Sequence, residues 1–241
     1  MTFLSTTHIV FLTATIGFLV LSAFVVSRLS PRTQNLLFLL AALGCAAGIF
    51  SLYGMNGDDL TPGVLLMQML QVPAFNLILV LLMMIPRFEL ARQYGAMFSM
   101  FATFAYLVFI PESWASLNWY QPEVAIFWLS NLCAIALPVW MIAARCLKPR
   151  REYIYWVLGC VFLYFSISYM GTYALNTMGI LAPENSFALF AQPANCPLLA
   201  VLYAKIPHAY FYLWPLIPAV YIFFRLYCLL FRKYGVDAYR L

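Results

Sequence analysis

Apolar runs about 20 residues long recur seven times along the chain, and nothing else in it constrains the fold as much. They run from His8 to Arg28, Gln34 to Tyr53, Gly63 to Ile85, Ala91 to Ile110, Glu123 to Ala144, Glu152 to Leu175 and His208 to Leu230. Each is closed by polar residues, Gly or Pro. A helix needs about 20 predominantly apolar residues to cross a hydrocarbon core of about 30 Å. The chain is only 9% charged and 65% hydrophobic, whereas soluble domains carry about a quarter charged residues. So little charge cannot cover a surface facing water, and the solvent must be mostly lipid. The expectation is an all-α polytopic membrane protein: one domain over residues 1–241, a bundle of seven transmembrane helices in the cell membrane. Its aromatic share of 18% fits that setting, because Trp and Tyr favour both bilayer interfaces.

The basic residues orient the bundle. Arg28 and Arg32 fall between runs one and two, Arg87 and Arg92 between three and four, and Arg145, Lys148, Arg150 and Arg151 between five and six. Arg232, Lys233 and Arg240 follow the last run, and Arg225 near its inner end can snorkel. Twelve of thirteen basic residues thus share one side, with Lys205 the exception. Lys and Arg mark the cytoplasmic side, so the N-terminus is expected outside and the C-terminus in the cytoplasm. Asp58, Asp59, Glu112, Glu123 and Glu184 all fall on the outer side. This distribution also explains the net charge of +5 without a nucleic-acid partner. The first run has no cationic leader and is too long for a signal-peptide core. It reads as a retained anchor, stopped at Arg28, Pro31 and Arg32.

The outer segment Asn176 to Pro207 contains Pro183, Pro193, Pro197 and Pro207, yet its middle is apolar. Nonhelical backbone at membrane depth needs cover from protein or a water cavity. Two readings stand: a hairpin on or dipping into the outer face, or a partly buried amphipathic loop.

Polar side chains within spans are costly and therefore mark candidate sites. Gln68 and Gln71, three residues apart, share one face of run three, with Asn76 beyond. Run five carries Ser130 and Asn131, run six ends on Thr172, Tyr173 and Asn176, and His8 and His208 open runs one and seven. Nearly all lie in the outer half or near the midplane. Gln68, Gln71, Asn131, His8, His208 and Asn176 are therefore the candidate ligand pocket. Singly, such amides often only bond a neighbouring helix, contributing about 1 kcal/mol.

Cys45, Cys133, Cys146, Cys160, Cys196 and Cys228 are scattered without a C-x-x-C pair, which points away from disulfides and structural zinc. Two histidines without a nearby Cys or carboxylate at ligand spacing make no metal site. Retinal would need a mid-membrane Lys, which run seven lacks. No cofactor is expected. The one nucleophile to weigh is Cys196, in Asn195-Cys196-Pro197, with His208 as partner and Glu184 upstream; a Cys–His pair in contact runs acyl transfer through a thioester.

Four features together resemble the YwaF-type integral-membrane family of bacteria and its eukaryotic transmembrane acyltransferase relatives. They are Thr7-His8 at the start, the Leu147-Lys148-Pro149 turn, the segment from Ala191 to Leu199, and Pro207 before an aromatic run. The resemblance spans most of the chain and implies a bacterial cytoplasmic membrane. In the eukaryotic branch it implies acyl transfer between phospholipids through a Cys on span three and a His on span five. Here Met67-Gln68-Met69-Leu70-Gln71 stands where a Leu-His-Leu-Cys pattern is expected, and Ser130-Asn131-Leu132 where Ser-His-Gly is expected. Leu70 cannot be a nucleophile, and Asn131 cannot act as a base near neutral pH. The resemblance thus implies a pocket kept while its reactivity was lost.

The leading functional expectation is a membrane protein that binds a lipid or small amphiphile, or serves as an accessory subunit of a membrane complex. Its partners would be membrane lipids or another membrane protein. The alternative is a lipid acyltransferase or hydrolase using Cys196 and His208. A second alternative, a small-solute transporter, lacks a buried carboxylate or Lys for ion coupling and an inverted repeat. A receptor shares the topology, but the cytoplasmic loops are short. Finally, Ala41, Gly44, Ala47 and Gly48 allow run two to approach another helix closely, within the chain or between chains.

Overall fold

The computed structural model describes residues 6–55, 72–108, 121–179, 197–208 and 211–232. These residues form an all-helical protein with no strand among them. The helices are α1 (Thr6–Val26), α2 (Pro31–Met55), α3 (Val72–Met83), α4 (89–108), α5 (Pro122–Ala143), α6 (Ile154–Thr177), α7 (Pro197–Lys205) and α8 (Leu216–Leu230). Among the described residues, four helical stretches are long and apolar enough to cross a membrane: Thr6–Val26, Val124–Ala143, Arg151–Leu175 and Phe211–Leu230. They coincide with the first, fifth, sixth and seventh apolar runs. α2 is also long but opens with the polar turn 31–35. Of the third run, residues 63–71 lie outside the described residues and α3 covers the rest.

The bundle is organised around α5. Over its apolar stretch 56% of residues are buried, against 11% in α1 and in α8, so α1 and α8 lie at the periphery. Ala134, Ile135, Leu137 and Met141 of α5 pack into clusters with Phe38, Ala41, Ala42 and Cys45 of α2, and with Met100 and Leu107 of α4. On the far side of α4, Tyr94 and Met97 pack against Ile154 and Val157 of α6 and Phe224 and Cys228 of α8. The outward faces are equally apolar: Leu21, Leu163 and Leu226 are each more than half exposed. A helix apolar on both faces suits a core or a lipid surround and not water.

Two glycines set how closely helices meet. A Cβ on Gly48 would lie 2.3 Å from Ser130 Cβ, which brings α2 against α5. Gly44 faces Cys133 of α5 in the same way, its Cβ position 3.0 Å from Cys133 Sγ, and Ala41 is buried, whereas Ala47 is exposed. The small face of run two therefore serves contact within the chain, and Ala47 does not belong to it. Gly95 begins a five-residue π turn, Gly95–Ser99, inside α4. A Cβ there would fall 2.0 Å from Met83 Sδ, so α3 and α4 cross at the glycine where the helix widens.

Proline accounts for two departures from the expected boundaries. Part of the 176–207 segment is helical: Pro197 opens α7, where its missing N–H costs nothing, and Lys205 ends it beside the last carbonyls. Run seven becomes α-helical only at Leu216, after a 3-10 turn at Phe211–Leu213, and not at His208. Pro207 and Pro215 precede that start, and Pro218 sits within the first turn, where proline is tolerated.

Candidate functional site

At the end where the chain enters α1, His8 meets α5 at Trp128, three residues before Asn131. His8 is fully buried, and its Nε2–H donates to the Leu107 carbonyl of α4 at 2.9 Å. Its ring stands edge-on to Trp128, with centroids 6.3 Å apart. Asn131 is also buried, and its Nδ2 donates to the Phe127 carbonyl at 2.8 Å. Ser130 Oγ donates to the same carbonyl at 3.0 Å. Thr103, one turn before Leu107 in α4, is also buried. Apolar packing surrounds these polar groups: Phe11 stacks on Trp128 at 5.3 Å, and Phe127 meets Trp128 edge-on.

The other expected site residues divide plainly. Gln68, Gln71 and Cys196 lie outside the described residues. Asn176 falls in the last turn of α6, but its side chain is outside the description, as is that of Asn76 in α3. His208 is exposed on the turn after α7, its backbone N–H donating to Ile206 at 2.7 Å. No contact joins it to His8 among the described residues. There too, no group of three His, Cys, Asp or Glu could hold a metal ion.

The opposite end carries a polar assembly that hydropathy did not reveal. Arg92 reads in sequence as a loop cation, yet it lies inside α4 and is fully buried, as is Gln93. Arg92 Nη2 donates to the Cys146 carbonyl at 2.7 Å. Gln93 Nε2 donates to the Lys148 carbonyl at 2.9 Å and to Glu89 Oε1 at 2.8 Å, while its Oε1 accepts from the Arg150 backbone N–H at 2.9 Å. Arg150 also faces Glu89 at 4.0 Å and Glu152 at 3.6 Å. Lys148 Nζ reaches the Arg232 carbonyl at 3.2 Å. Two adjacent side chains of α4 thus fasten the backbone of the 144–150 connection. Their signal in the sequence was the Glu89–Gln93 spacing of four, which places both on one helix face. The turns bearing Arg28, Arg87, Arg145, Lys148, Arg150 and Arg232 gather here, and this is the basic end of the bundle.

Beside this assembly lies a half-enclosed cavity of about 640 Å³. It opens between the α1–α2 turn and the C-terminus of α5, and its walls include Phe24, Ser27, Pro31, Gln34, Asn35 and Arg145. Gln34 Nε2 donates to the Val26 carbonyl at 2.9 Å, closing the end of α1. Against protein-family models, curated proteins and solved structures alike, the chain finds no match.

Proposed function

We propose that the protein is a seven-span protein of the cell membrane, N-terminus outside and basic end in the cytoplasm, that holds a lipid or small amphiphile through neutral polar groups of its outer half. Docking of another membrane protein onto the same groups is the accessory form of this reading. Four apolar helices of spanning length support the membrane setting. The gathering of basic turns at one end supports the orientation through the positive-inside rule. The resemblance to the YwaF-type family belongs to the same proposal, with Leu70 and Asn131 standing where the resemblance places the reactive Cys and His.

One observation carries the reading: His8, Ser130 and Asn131 are neutral polar side chains buried at the end of the bundle away from the basic turns. Buried polar groups are costly unless hydrogen-bonded, and the hydroxyl or amide of a bound amphiphile can pair with them without bringing in charge. The test is native mass spectrometry of protein released from mild detergent. Wild-type protein should carry a defined lipid or protein partner, and Asn131→Leu should lose it while remaining folded. Protein that arrives bare, or a variant that retains the same adduct, contradicts the reading.

A further inference from the structure

We propose that the seam between α6 and α8 at the basic end binds the phosphate group of an anionic lipid from the adjoining leaflet. This rests on the membrane setting proposed above; the seam itself is separate from the buried outer group around His8 and Asn131.

The polar part of the seam is a chain of three exposed side chains. The Tyr155 hydroxyl of α6 lies 3.1 Å from the Tyr221 hydroxyl of α8, and Arg225 Nη1, one turn further along α8, donates to Tyr221 Oη at 3.2 Å. The two phenol rings pack with centroids 5.5 Å apart, and the Arg225 guanidinium stands 5.8 Å from the Tyr221 ring centroid. Counting hydrogens shows what this chain lacks. The two hydroxyls share one hydrogen between them, whichever of them donates, so the second O–H is left to point elsewhere. Arg225 spends one N–H on Tyr221 and keeps the rest of its donor fork. Among the described residues no acceptor meets these remaining donors, and no carboxylate pairs with Arg225. The triad is rich in donors and short of acceptors. A phosphodiester brings acceptor oxygens and the opposite charge together.

A second cation stands close by. Arg151, exposed just before α6, and Arg225 both act electrostatically on the Cys228 thiol, which places two guanidinium groups about one stretch of the seam. Glu152, the neighbouring carboxylate, lies 3.6 Å from Arg150 and is engaged there. Arg225 sits little more than one turn from the end of α8 at Leu230, about 8 Å at the helical rise, and Tyr155 belongs to the first turn of α6. In a bilayer that is headgroup depth. The surface around the triad is apolar, with Trp156, Ile222 and Leu226 each more than half exposed. A charge on such a lipid-facing surface is costly unless paired, and basic sites between helices on the cytoplasmic side suit anionic headgroups. The apolar surround also selects the source of the phosphate, because a lipid covers Trp156, Ile222 and Leu226 with its acyl chains and a soluble phosphate does not.

The test uses purified protein in nanodiscs of phosphatidylcholine with graded phosphatidylglycerol, with the lipids retained on release counted by native mass spectrometry. Wild type should retain phosphatidylglycerol in preference to phosphatidylcholine. Arg225→Gln and Arg151→Gln should each weaken that preference by about fivefold, the increment expected from one basic residue at an anionic surface. Tyr221→Phe keeps the ring against Tyr155 but removes the hydroxyl that holds Arg225, so a loss of roughly threefold is expected. Arg32→Gln, exposed at the same end on α2, which packs against α5, should leave the preference unchanged. Inorganic phosphate should displace no more lipid than chloride at equal ionic strength. No preference in wild type, equal retention by wild type and Arg225→Gln, or an equal loss in Arg32→Gln overturns the site, and displacement by phosphate beyond the chloride control overturns the lipid as its ligand. Failure to enter nanodiscs at all would overturn the membrane reading instead.

Discussion

Gly48→Ala tests the packing of α2 on α5 with a cost that follows from backbone geometry. The new Cβ would sit 2.3 Å from Ser130 Cβ and 3.3 Å from Ser130 Cα. Non-bonded carbons prefer about 3.5–4.0 Å, and neither Cβ has a rotamer through which to escape. The two helices must therefore part by about 1 Å or more. Overpacking of this kind costs about 1–3 kcal/mol, offset by about 0.8–1.0 kcal/mol of helix propensity gained by alanine over glycine. The net loss should be roughly 0.5–2 kcal/mol. Ser130→Gly removes the atom that clashes, so in a double-mutant cycle the pair should show a coupling of about 1 kcal/mol. Ala47→Leu, one residue away on the exposed side of α2, should stay within about 0.5 kcal/mol of wild type. SDS titration of the protein in mixed micelles, followed by tryptophan fluorescence, measures all four variants. A Gly48→Ala protein as stable as wild type, or one that Ser130→Gly fails to rescue, refutes the contact.

Gln93→Leu removes hydrogen bonds to the Lys148 carbonyl and the Arg150 N–H. Leaving both half-buried groups unpaired should cost roughly 2 kcal/mol, and limited trypsin digestion should then cut more quickly at Arg145, Arg150 or Arg151. His8→Phe keeps a ring against Trp128 but leaves the Leu107 carbonyl without its Nε2–H donor; the expected loss is about 1–3 kcal/mol in the SDS titration. Stability equal to wild type would mean that the His8 contact contributes nothing.

Hydropathy made the helical segments legible, because the length needed to cross hydrocarbon is a property of a single segment. α1, α5, α6 and the stretch ending in α8 stand where the apolar runs placed them. It could not assign neighbours, since a helix apolar all round announces no face. The small residues of run two were visible, but only the structure directs Gly44 and Gly48 to α5 and turns Ala47 outward. Arg92 was misjudged, and Gln93 passed over, for a related reason. Charge near a span end reads as loop, whereas here the backbone carbonyls of the 144–150 connection make burial tolerable. The start of α8 was misplaced because proline interrupts helices without reducing hydropathy. Of the candidate site, the contact of His8 with Leu107 and Trp128 required the fold. The Cys196 alternative falls on residues outside the description.

The central claim is the orientation of seven spans with the arginine-bearing turns in the cytoplasm, and paired reporter fusions along the chain test it most directly. A fluorescent protein that matures only in the cytoplasm, and a phosphatase active only outside it, are each joined after residues 32, 60, 88, 116, 148, 190 and 236. Fluorescence after 32, 88, 148 and 236, with phosphatase activity after 60, 116 and 190, is the predicted pattern. The inverse pattern, or two successive junctions reporting the same side, contradicts it.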